Sequence, residues 1–326
     1  MTEQNDAPPL EAANEQVRAL ETEIAKAIVG QERVIQDVLA GLLAAGHLLV
    51  EGVPGLGKTL LVRALAAAVG GQFSRVQFTP DLMPGDVSGH FVFDSQTETF
   101  KVRKGPVFCN FLLADEINRA PAKTQSALLE VMQEQQVTIE GTTFGLDPPF
   151  MVLATQNPIE QEGTYPLPEA QLDRFLLKIF IDYPNETEEQ LLVRQVTHNK
   201  VGDQLDASAI SRILSPEQIV QLQRTVAGLE VDEQIAAYAV RIVRTAREWH
   251  GIEFGAGPRG SISLLRAARA EAVRQGRGFV IPDDVKTMAP PVLRHRLRLT
   301  PELEIEGITP DDVLRDILDN VEAPRV

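Results

Sequence analysis

The sequence Gly52-Val53-Pro54-Gly55-Leu56-Gly57-Lys58-Thr59 matches the pattern GxxxxGK[ST] of a phosphate-binding loop. Leu48-Leu49-Val50 precedes it as an apolar run typical of a buried strand, and the Ala- and Leu-rich residues 60–69 predict a helix after it. Such a loop turns backbone N–H groups toward phosphates, while its lysine reaches the terminal phosphates and its hydroxyl binds Mg²⁺. We therefore predict a nucleotide site here. The predicted contacts are Gly52, Pro54, Gly55, Leu56, Gly57, Lys58, Thr59 and Leu60, with Thr59 also a metal ligand.

A second motif ends in two adjacent carboxylates. Phe111-Leu112-Leu113-Ala114 is an apolar run typical of a buried strand, and Asp115-Glu116 follows it directly. Asp115 is predicted to hold the Mg²⁺ shell, and Glu116, free of the metal, to orient and deprotonate the attacking water. By itself an acidic strand end is more often a solvated terminus. Together with the upstream loop, this pair predicts hydrolysis of ATP by water.

Strand-like and helical patterns alternate in the first half of the chain, at residues 34–43, 60–69, 75–78, 107–114 and 150–154 among others. This alternation predicts an α/β fold with a parallel sheet sandwiched by helices. After Tyr183-Pro184 the apolar residues fall almost entirely at helical spacing, which predicts a small all-α domain. The predicted domains are residues 1–16, a flexible tail poor in large apolar side chains; residues 17–184, the nucleotide-binding domain; and residues 185–326, a helical lid.

Charge and composition narrow the class of protein. The net charge of -15 repels a polyanion, so nucleic acid is not the expected partner. The single cysteine, Cys109, lies in an apolar run, which indicates a buried structural thiol and fits a reducing cytoplasm. The longest apolar-rich stretch, residues 39–50, is interrupted by His47 and is shorter than the ~20 residues of a membrane-spanning helix. We expect a cytoplasmic protein that is not inserted in a membrane.

Several stretches together resemble the MoxR family of AAA+ ATPases, in the helix-2-insert clade, by their order and spacing. The likeness runs from about Ile28 to beyond Arg266. It implies a P-loop AAA+ core followed by a lid, with ATP and Mg²⁺ bound. Besides the phosphate loop, the stretches are Ile28-Val29-Gly30-Gln31-Glu32, Asp115-Glu116-Ile117-Asn118-Arg119-Ala120, Ala154-Thr155-Gln156-Asn157-Pro158 and Pro168-Glu169-Ala170-Gln171-Leu172-Asp173-Arg174-Phe175.

The resemblance implies roles for residues outside the two motifs. Asn157, which by itself reads as a turn residue before proline, would be sensor 1 and hydrogen-bond the γ-phosphate. Arg174 would be the arginine finger, offered to the γ-phosphate of a neighbouring subunit. The alternative for Arg174 is a salt bridge within the chain to Asp173 or Glu169.

Two further assignments come from the same resemblance. Arg259 would be the sensor 2 arginine of the lid, and the sequence leaves open whether it acts in its own subunit or in the next. Ile28, Val29 and Gly30 would contact the adenine.

The sequence also contains two candidate insertions, and the family resemblance implies partners. Residues 79–92 and 137–149 resemble two insertions of the clade, the second predicted to be a hairpin, and they would face a client or be plain surface loops. The resemblance implies a homo-oligomer, expected to be a hexameric ring, that remodels a protein client with a separate von Willebrand factor A domain partner. The rival interpretations are an MCM-like nucleic-acid motor, a magnesium-chelatase-like ATPase subunit and a pure nucleotide-binding module.

Overall fold

The computed structural model describes residues 8–53, 55–157, 164–197 and 207–325. Its centre is a sheet of five parallel strands: β1 (Leu48–Gly52), β2 (Phe73–Gln77), β5 (Phe111–Asp115), β8 (Met151–Gln156) and β9 (Leu177–Ile181). Their order in the sheet is β2–β5–β8–β1–β9. Because the strands are parallel, the residues that follow β1, β5 and β8 meet at one edge of the sheet.

Alternate residues of these strands enter two apolar cores, one on each face of the sheet. In β5, Phe111 and Leu113 belong to one core, and Leu112 and Ala114 belong to the other. Burial on both faces explains why the strands read as uninterrupted apolar runs, and the predicted α/β sandwich is confirmed. The helices of this domain are α1 (Leu10–Ala25), α2 (Glu32–Leu43), α3 (Lys58–Val69), α5 (Ala122–Glu134) and the single turn α6 (Glu169–Leu172).

Two hairpins project from this domain. Residues 79–92 contain the short helix α4 (Pro84–Ser88) and lead into β3 (Gly89–Asp94), which pairs antiparallel with β4 (Thr99–Lys104). The predicted end of this insertion at residue 92 was therefore wrong. Residue 92 lies inside β3, and the strand paired with β3 ends only at Lys104. The hairpin predicted within residues 137–149 is confirmed as β6 (Gln136–Ile139) paired with β7 (Thr142–Gly145).

The second domain is helical, as predicted. β9 ends at Ile181 and the first helix of the lid begins at Glu186, on either side of the break expected from the sequence. A two-stranded ladder of β10 (Ile252–Phe254) and β11 (Arg298–Leu299) is an addition that segments so short could not predict. The helices are α7 (Glu186–Thr197), α8 (Pro216–Ala227), α9 (Glu233–Glu248), α10 (Pro258–Arg274), α11 (Pro282–Leu293), α12 (Pro301–Ile305) and α13 (Pro310–Asn320).

The flexible tail predicted for residues 1–16 is wrong from Leu10 onward, where α1 begins; residues 1–7 lie outside the described residues. Ala13 is fully buried, and the Asn14 Nδ2 donates to the carbonyl oxygens of Val273 at 3.0 Å and Arg274 at 2.7 Å, at the end of α10. These tertiary contacts outweigh the weak local preference of the sequence. α1 thereby joins the lid to the first domain.

One apolar core is continuous across the two domains. α1 and α2 pack against α8 and α10, and Leu39 of the first domain shares this core with Leu264 of the lid. None of the helices in the described residues is long and apolar enough to cross a membrane.

Two histidines are buried as neutral side chains. The His47 Nδ1 accepts the Val152 N–H at 3.0 Å while its Nε2 lies 3.0 Å from the Met132 carbonyl oxygen, so both ring nitrogens are satisfied by the neutral form. Burial lowers the pKa of His47 to about 4. Burial, with Arg296 nearby, also lowers the pKa of His295 well below 6.5.

We expect acid to destabilise the fold through these rings before most carboxylates titrate. As the pH falls below 6.5, the unfolded chain binds protons that the folded protein excludes, until His47 itself titrates near 4. Each ring therefore lowers the free energy of unfolding by up to about 1.4 kcal/mol per pH unit in that range. Asp37, whose pKa burial raises to about 6, acts in the opposite direction. Urea unfolding of His47→Gln should show a shallower pH slope than wild type, and equal slopes would contradict the prediction.

Candidate active site

The phosphate-binding loop joins the end of β1 to the start of α3. Gly55 and Gly57 have left-handed backbones, with φ of +86° and +78°, and no atom within 4 Å of where a Cβ would stand. Glycine is therefore required there by conformation and not by crowding. The Lys58 Nζ donates to the carbonyl oxygen of Gly52, at the other end of the loop. Pro54, a predicted contact, lies outside the described residues.

Residues that are distant in sequence meet in one cavity of about 390 Å³ beside this loop. It is lined by Lys58 and Thr59 from α3, by Asp115 and Glu116 at the end of β5, and by Asn157 just after β8. Burial lowers the pKa of the Lys58 ammonium, while the nearby acids Asp115 and Glu116 act to raise it. The structure thus brings together five of the residues predicted to act on the phosphates, the metal and the water, but not Arg174 and Arg259.

Both carboxylate oxygens of Asp115 have partners within the chain. The Thr155 hydroxyl donates to Oδ1 at 2.6 Å. The Arg75 guanidinium donates to Oδ2 through Nη2 at 2.5 Å and through Nε at 3.2 Å. These hydrogen bonds hold the Asp115 carboxylate in one orientation, with the Arg75 guanidinium at its Oδ2.

Glu116 is held by both its backbone and its side chain. Its φ of +56° is a left-handed conformation that is uncommon for a residue with a Cβ. Its N–H donates to the Thr155 hydroxyl at 2.8 Å. Its Oε2 accepts hydrogen bonds from the Gln77 Nε2 at 2.6 Å and from the Arg119 Nη1 at 3.0 Å. The carboxylate is thus fixed at the carboxyl end of β5, and it lines the same cavity as Lys58.

Arg174 and Arg259 line a second cavity, of about 300 Å³, which shares no described lining residue with the first. The Arg174 Nη1 donates to the Leu129 carbonyl oxygen at 2.7 Å. Arg259 lies 3.9 Å from Asp173. The two acids considered as salt-bridge partners of Arg174 are paired elsewhere: Asp173 with Arg296 at 2.7 Å and Glu169 with Arg298 at 3.1 Å.

The two cavities lie at opposite edges of the sheet. Leu48 is opposite Leu177 where β1 and β9 begin, and the Leu176 N–H donates to the His47 carbonyl oxygen at 2.8 Å. Arg174 therefore lies near the amino ends of these strands, whereas the phosphate loop follows their carboxyl ends. A five-residue strand separates the two edges by about 15 Å.

The predicted adenine contacts lie in the loop between α1 and α2. Ile28 is buried, and Gly30 has a φ of +71°. The Gln31 Nε2 donates to the Leu56 carbonyl oxygen at 3.3 Å, which ties this loop to the phosphate loop. Ile28, Val29 and Gly30 are not among the described residues that line the phosphate cavity; Gly30 instead lines a third cavity, of about 460 Å³.

Comparison with known proteins supports these observations. Residues 47–177 match the sequence model of the ATPase family associated with various cellular activities (AAA), and residues 244–317 match that of the AAA lid domain. The chaperone MoxR1 of Mycobacterium tuberculosis is 45% identical to this chain, over 99% of this chain and 87% of that protein. The chain belongs to the MoxR family of AAA+ ATPases.

Other proteins are also similar to this chain. The protein YeaC of Bacillus subtilis is 46% identical over 92% of each chain. The crystal structure of a proposed ATPase from Cytophaga hutchinsonii superposes with a TM-score of 0.88, at 42% identity and over 96% of each chain. A magnesium-chelatase 38 kDa subunit from Acidiphilium rubrum is 30% identical over only 59% of this chain, so the likeness to MoxR proteins is both closer and more extensive.

Three residues at the MoxR site were not predicted from the sequence. Thr155, Gln77 and Arg75 position the two carboxylates, yet none of them lies in a phosphate-loop or acidic motif. Gln77 is opposite Asp115 in the pairing of β2 with β5. A polar residue at the end of an apolar strand was the available signal, but it identifies a site residue only once the strand order is known.

Magnesium with a nucleotide fits this donor set. Mg²⁺ is usually held by one or two protein oxygens together with substrate phosphates and water, and Thr59 and Asp115 line the same cavity. Across the described residues, no group of three or more His, Cys, Asp and Glu side chains is placed to hold a metal ion. The residues present therefore suit a metal that arrives with phosphate ligands.

Proposed function

We propose that this MoxR-family protein hydrolyses Mg²⁺-bound ATP at the interfaces of a ring of identical chains and uses the cycle to remodel a protein client. One observation carries the ATPase proposal: Glu116, fixed by donors at 2.6 and 3.0 Å, lies in the same cavity as Lys58, Thr59 and Asp115. A fixed carboxylate beside a phosphate-binding loop suits the activation of water.

Each residue of the cavity has a distinct role in this proposal. The loop amides and Lys58 bind the phosphates, and Thr59 and Asp115 hold the metal. When bound, Mg²⁺ neutralises charge on the phosphate oxygens. For Asp115 to hold a metal ion, Arg75 would have to leave the Asp115 Oδ2, because the guanidinium and the metal ion are both positively charged. Glu116 takes a proton from the water, and Asn157 hydrogen-bonds the outer phosphate.

Arg174 and Arg259 act in trans in this proposal. Both line a cavity at the sheet edge opposite to the phosphate loop, separated from it by about 15 Å. An arginine placed there serves the phosphate of a neighbouring copy more readily than its own. The proposed assembly is a hexameric ring, in which this edge of one copy lies against the next copy. The adenine is then contacted by Ile28, Val29 and Gly30 of the copy that holds the phosphates.

Calorimetry with ADP and ATP, with and without Mg²⁺, tests the nucleotide proposal. Wild-type protein should bind both nucleotides and release phosphate from ATP only when Mg²⁺ is present. Lys58→Ala should lose binding, because the substitution removes the ammonium that lines the cavity beside the phosphate-binding loop. Absence of nucleotide affinity in wild type at saturating Mg²⁺ would overturn the proposal.

The hairpin β3–β4 is the proposed client contact. Phe93 and Phe100 stand on it with 54% and 69% of their surfaces exposed, and their rings form an edge-to-face pair with centroids 5.3 Å apart. Contiguous exposed apolar surface can mark a site of contact with another protein. MoxR1 is named a chaperone, which supports a protein client here; a von Willebrand factor A domain partner on a separate chain and a cytoplasmic location stay predictions.

Replacing both aromatic residues, as Phe93→Ser with Phe100→Ser, should weaken the binding of an unfolded polypeptide by about tenfold or more, since buried aromatic anchors often contribute over 1 kcal/mol each. Reduced, carboxymethylated lactalbumin is a suitable probe, measured by fluorescence anisotropy. Val240→Ser, which removes an exposed apolar side chain from α9, is the matched control. Equal affinity of the double variant and wild type would contradict the assignment.

A further inference from the structure

A buried arginine of the lid holds the segment that carries Arg174. Arg296 lies in the 3-10 turn between α11 and β11, and its side chain is only 2% exposed. Its Nε donates to the Asp173 Oδ1 at 2.7 Å, and its Nη2 donates to the Phe175 carbonyl oxygen at 2.7 Å. Weaker bonds reach the carbonyl oxygens of Asp173 and Leu176, both at 3.3 Å. The acceptors thus lie on both sides of Arg174.

The same guanidinium is bonded to the lid itself. Its Nη1 donates to the Val292 carbonyl oxygen in α11, and its Nη2 donates to the Ser263 hydroxyl of α10 at 3.3 Å. Arg296 therefore spans the boundary between the two domains, with acceptors on each side. If the lid moved relative to the sheet, either these bonds would break or the Arg174 segment would move with the lid.

Neighbouring residues of the lid reinforce this connection. The His295 Nε2 lies 3.1 Å from the Phe175 carbonyl oxygen, and Arg298 pairs with Glu169 at 3.1 Å. Three side chains from residues 295–298 thus contact the segment of residues 169–176. Burying a guanidinium with a single, partly exposed carboxylate is costly, and hydrogen bonds to five other acceptors, four carbonyl oxygens and the Ser263 hydroxyl, offset part of that cost.

The lid helix before Arg296 also reaches the base side of the nucleotide site. Thr287 and Pro290 of α11 line the third cavity together with Gly30, and Arg294 lines it at the end of that helix. Arg296 follows two residues later. One continuous stretch of chain therefore connects the cavity near the predicted adenine contacts with the segment that carries Arg174.

We infer that Arg296 is a positioning residue for the arginine finger Arg174, through which the lid of one copy sets the reactivity of the ATP site in the next. The inference rests on the proposed function, because it requires that Arg174 act in trans. In this inference, nucleotide bound at the site of one copy acts through the lid and Arg296 on the position of Arg174 in the same copy. That Arg174 is the one supplied to the neighbouring copy.

A complementation experiment with mixed rings tests this inference. Arg296→Met alone should lower kcat about 10- to 100-fold, as expected for a misplaced catalytic group, with little change in nucleotide affinity by calorimetry. Co-expression with Glu116→Gln should restore activity, because each Arg296→Met site can then receive an intact finger from a Glu116→Gln neighbour. Random mixing in equal amounts predicts roughly one quarter of the wild-type rate. The control mixture is Arg174→Ala with Glu116→Gln, which should recover equally.

The outcomes separate the inference from the function on which it depends. If the Arg174→Ala mixture recovers and the Arg296→Met mixture does not, Arg296 does not act through the finger. If neither mixture recovers, the trans finger itself is wrong, and the inference with it. Full activity of Arg296→Met alone also overturns the inference. Should Arg296→Met fail to fold, Asp173→Asn, whose carboxylate is partly exposed, should give a smaller loss that is restored in the same mixture; no loss, or a loss that persists, would count against it.

Discussion

Glu116→Gln is expected to lower the rate of ATP hydrolysis by about 10²–10⁴-fold, the usual contribution of a general base, while nucleotide binding is retained. The amide has the shape of the carboxylate and can still accept the hydrogen bond from Gln77, but it cannot take a proton from water. Phosphate release under saturating Mg²⁺-ATP measures the rate, and calorimetry measures binding.

The matched control for this substitution is Glu304→Gln on α12. Glu304 is exposed and far in sequence from the cavity, so its replacement changes the net charge equally without touching the site. A Glu116→Gln protein with a rate within a few fold of wild type would exclude Glu116 as the base. Loss of nucleotide affinity in the same variant would instead indicate that the substitution disturbs the phosphate loop.

Arg174→Ala is expected to lower hydrolysis by about 10³–10⁵-fold when present in every copy, the range for an arginine supplied to a phosphoryl transfer. Its guanidinium now donates to the Leu129 carbonyl oxygen, so among the described residues the substitution removes one hydrogen bond. Because the proposed target is the neighbouring site, an Arg174→Ala copy should regain activity at its own site when a neighbour supplies an intact finger.

Two measurements check the trans action of Arg174. Specific activity of wild type should rise with protein concentration as rings assemble, and mixing Arg174→Ala with Glu116→Gln should restore hydrolysis that neither variant shows alone. Arg315→Ala, which removes an exposed arginine from α13, should keep the wild-type rate without a complementing copy. A specific rate that is independent of concentration down to monomers, with no recovery in the mixture, would exclude a finger supplied by a neighbour.

Local motifs predicted those parts of the site that depend on neighbouring residues in the chain. Gly55 and Gly57 determine the loop conformation by themselves, and Asp115-Glu116 ends a strand that any reading of the apolar run identifies. The sandwich also followed, because strands buried on both faces have a distinctive composition. These features were confirmed because their physical causes act over a few residues.

Features that depend on strand order or on contact between domains could not be predicted. Thr155 and Gln77 act on Glu116 from β8 and β2, which flank β5 only in the folded sheet. The tail prediction failed for the same reason, since Asn14 finds its acceptors at the end of α10, about 260 residues later. The placing of Arg174 beside Arg259 likewise requires the lid to be docked.

The left-handed backbone at Glu116 implies a trade-off between robustness and turnover. A non-glycine residue in that conformation costs on the order of 1 kcal/mol or more, which glycine would not incur. A glycine at position 116 would thus relax the chain and at the same time remove the carboxylate that we propose as the base. Under our proposal, the more stable glycine variant would bind ATP but would not hydrolyse it.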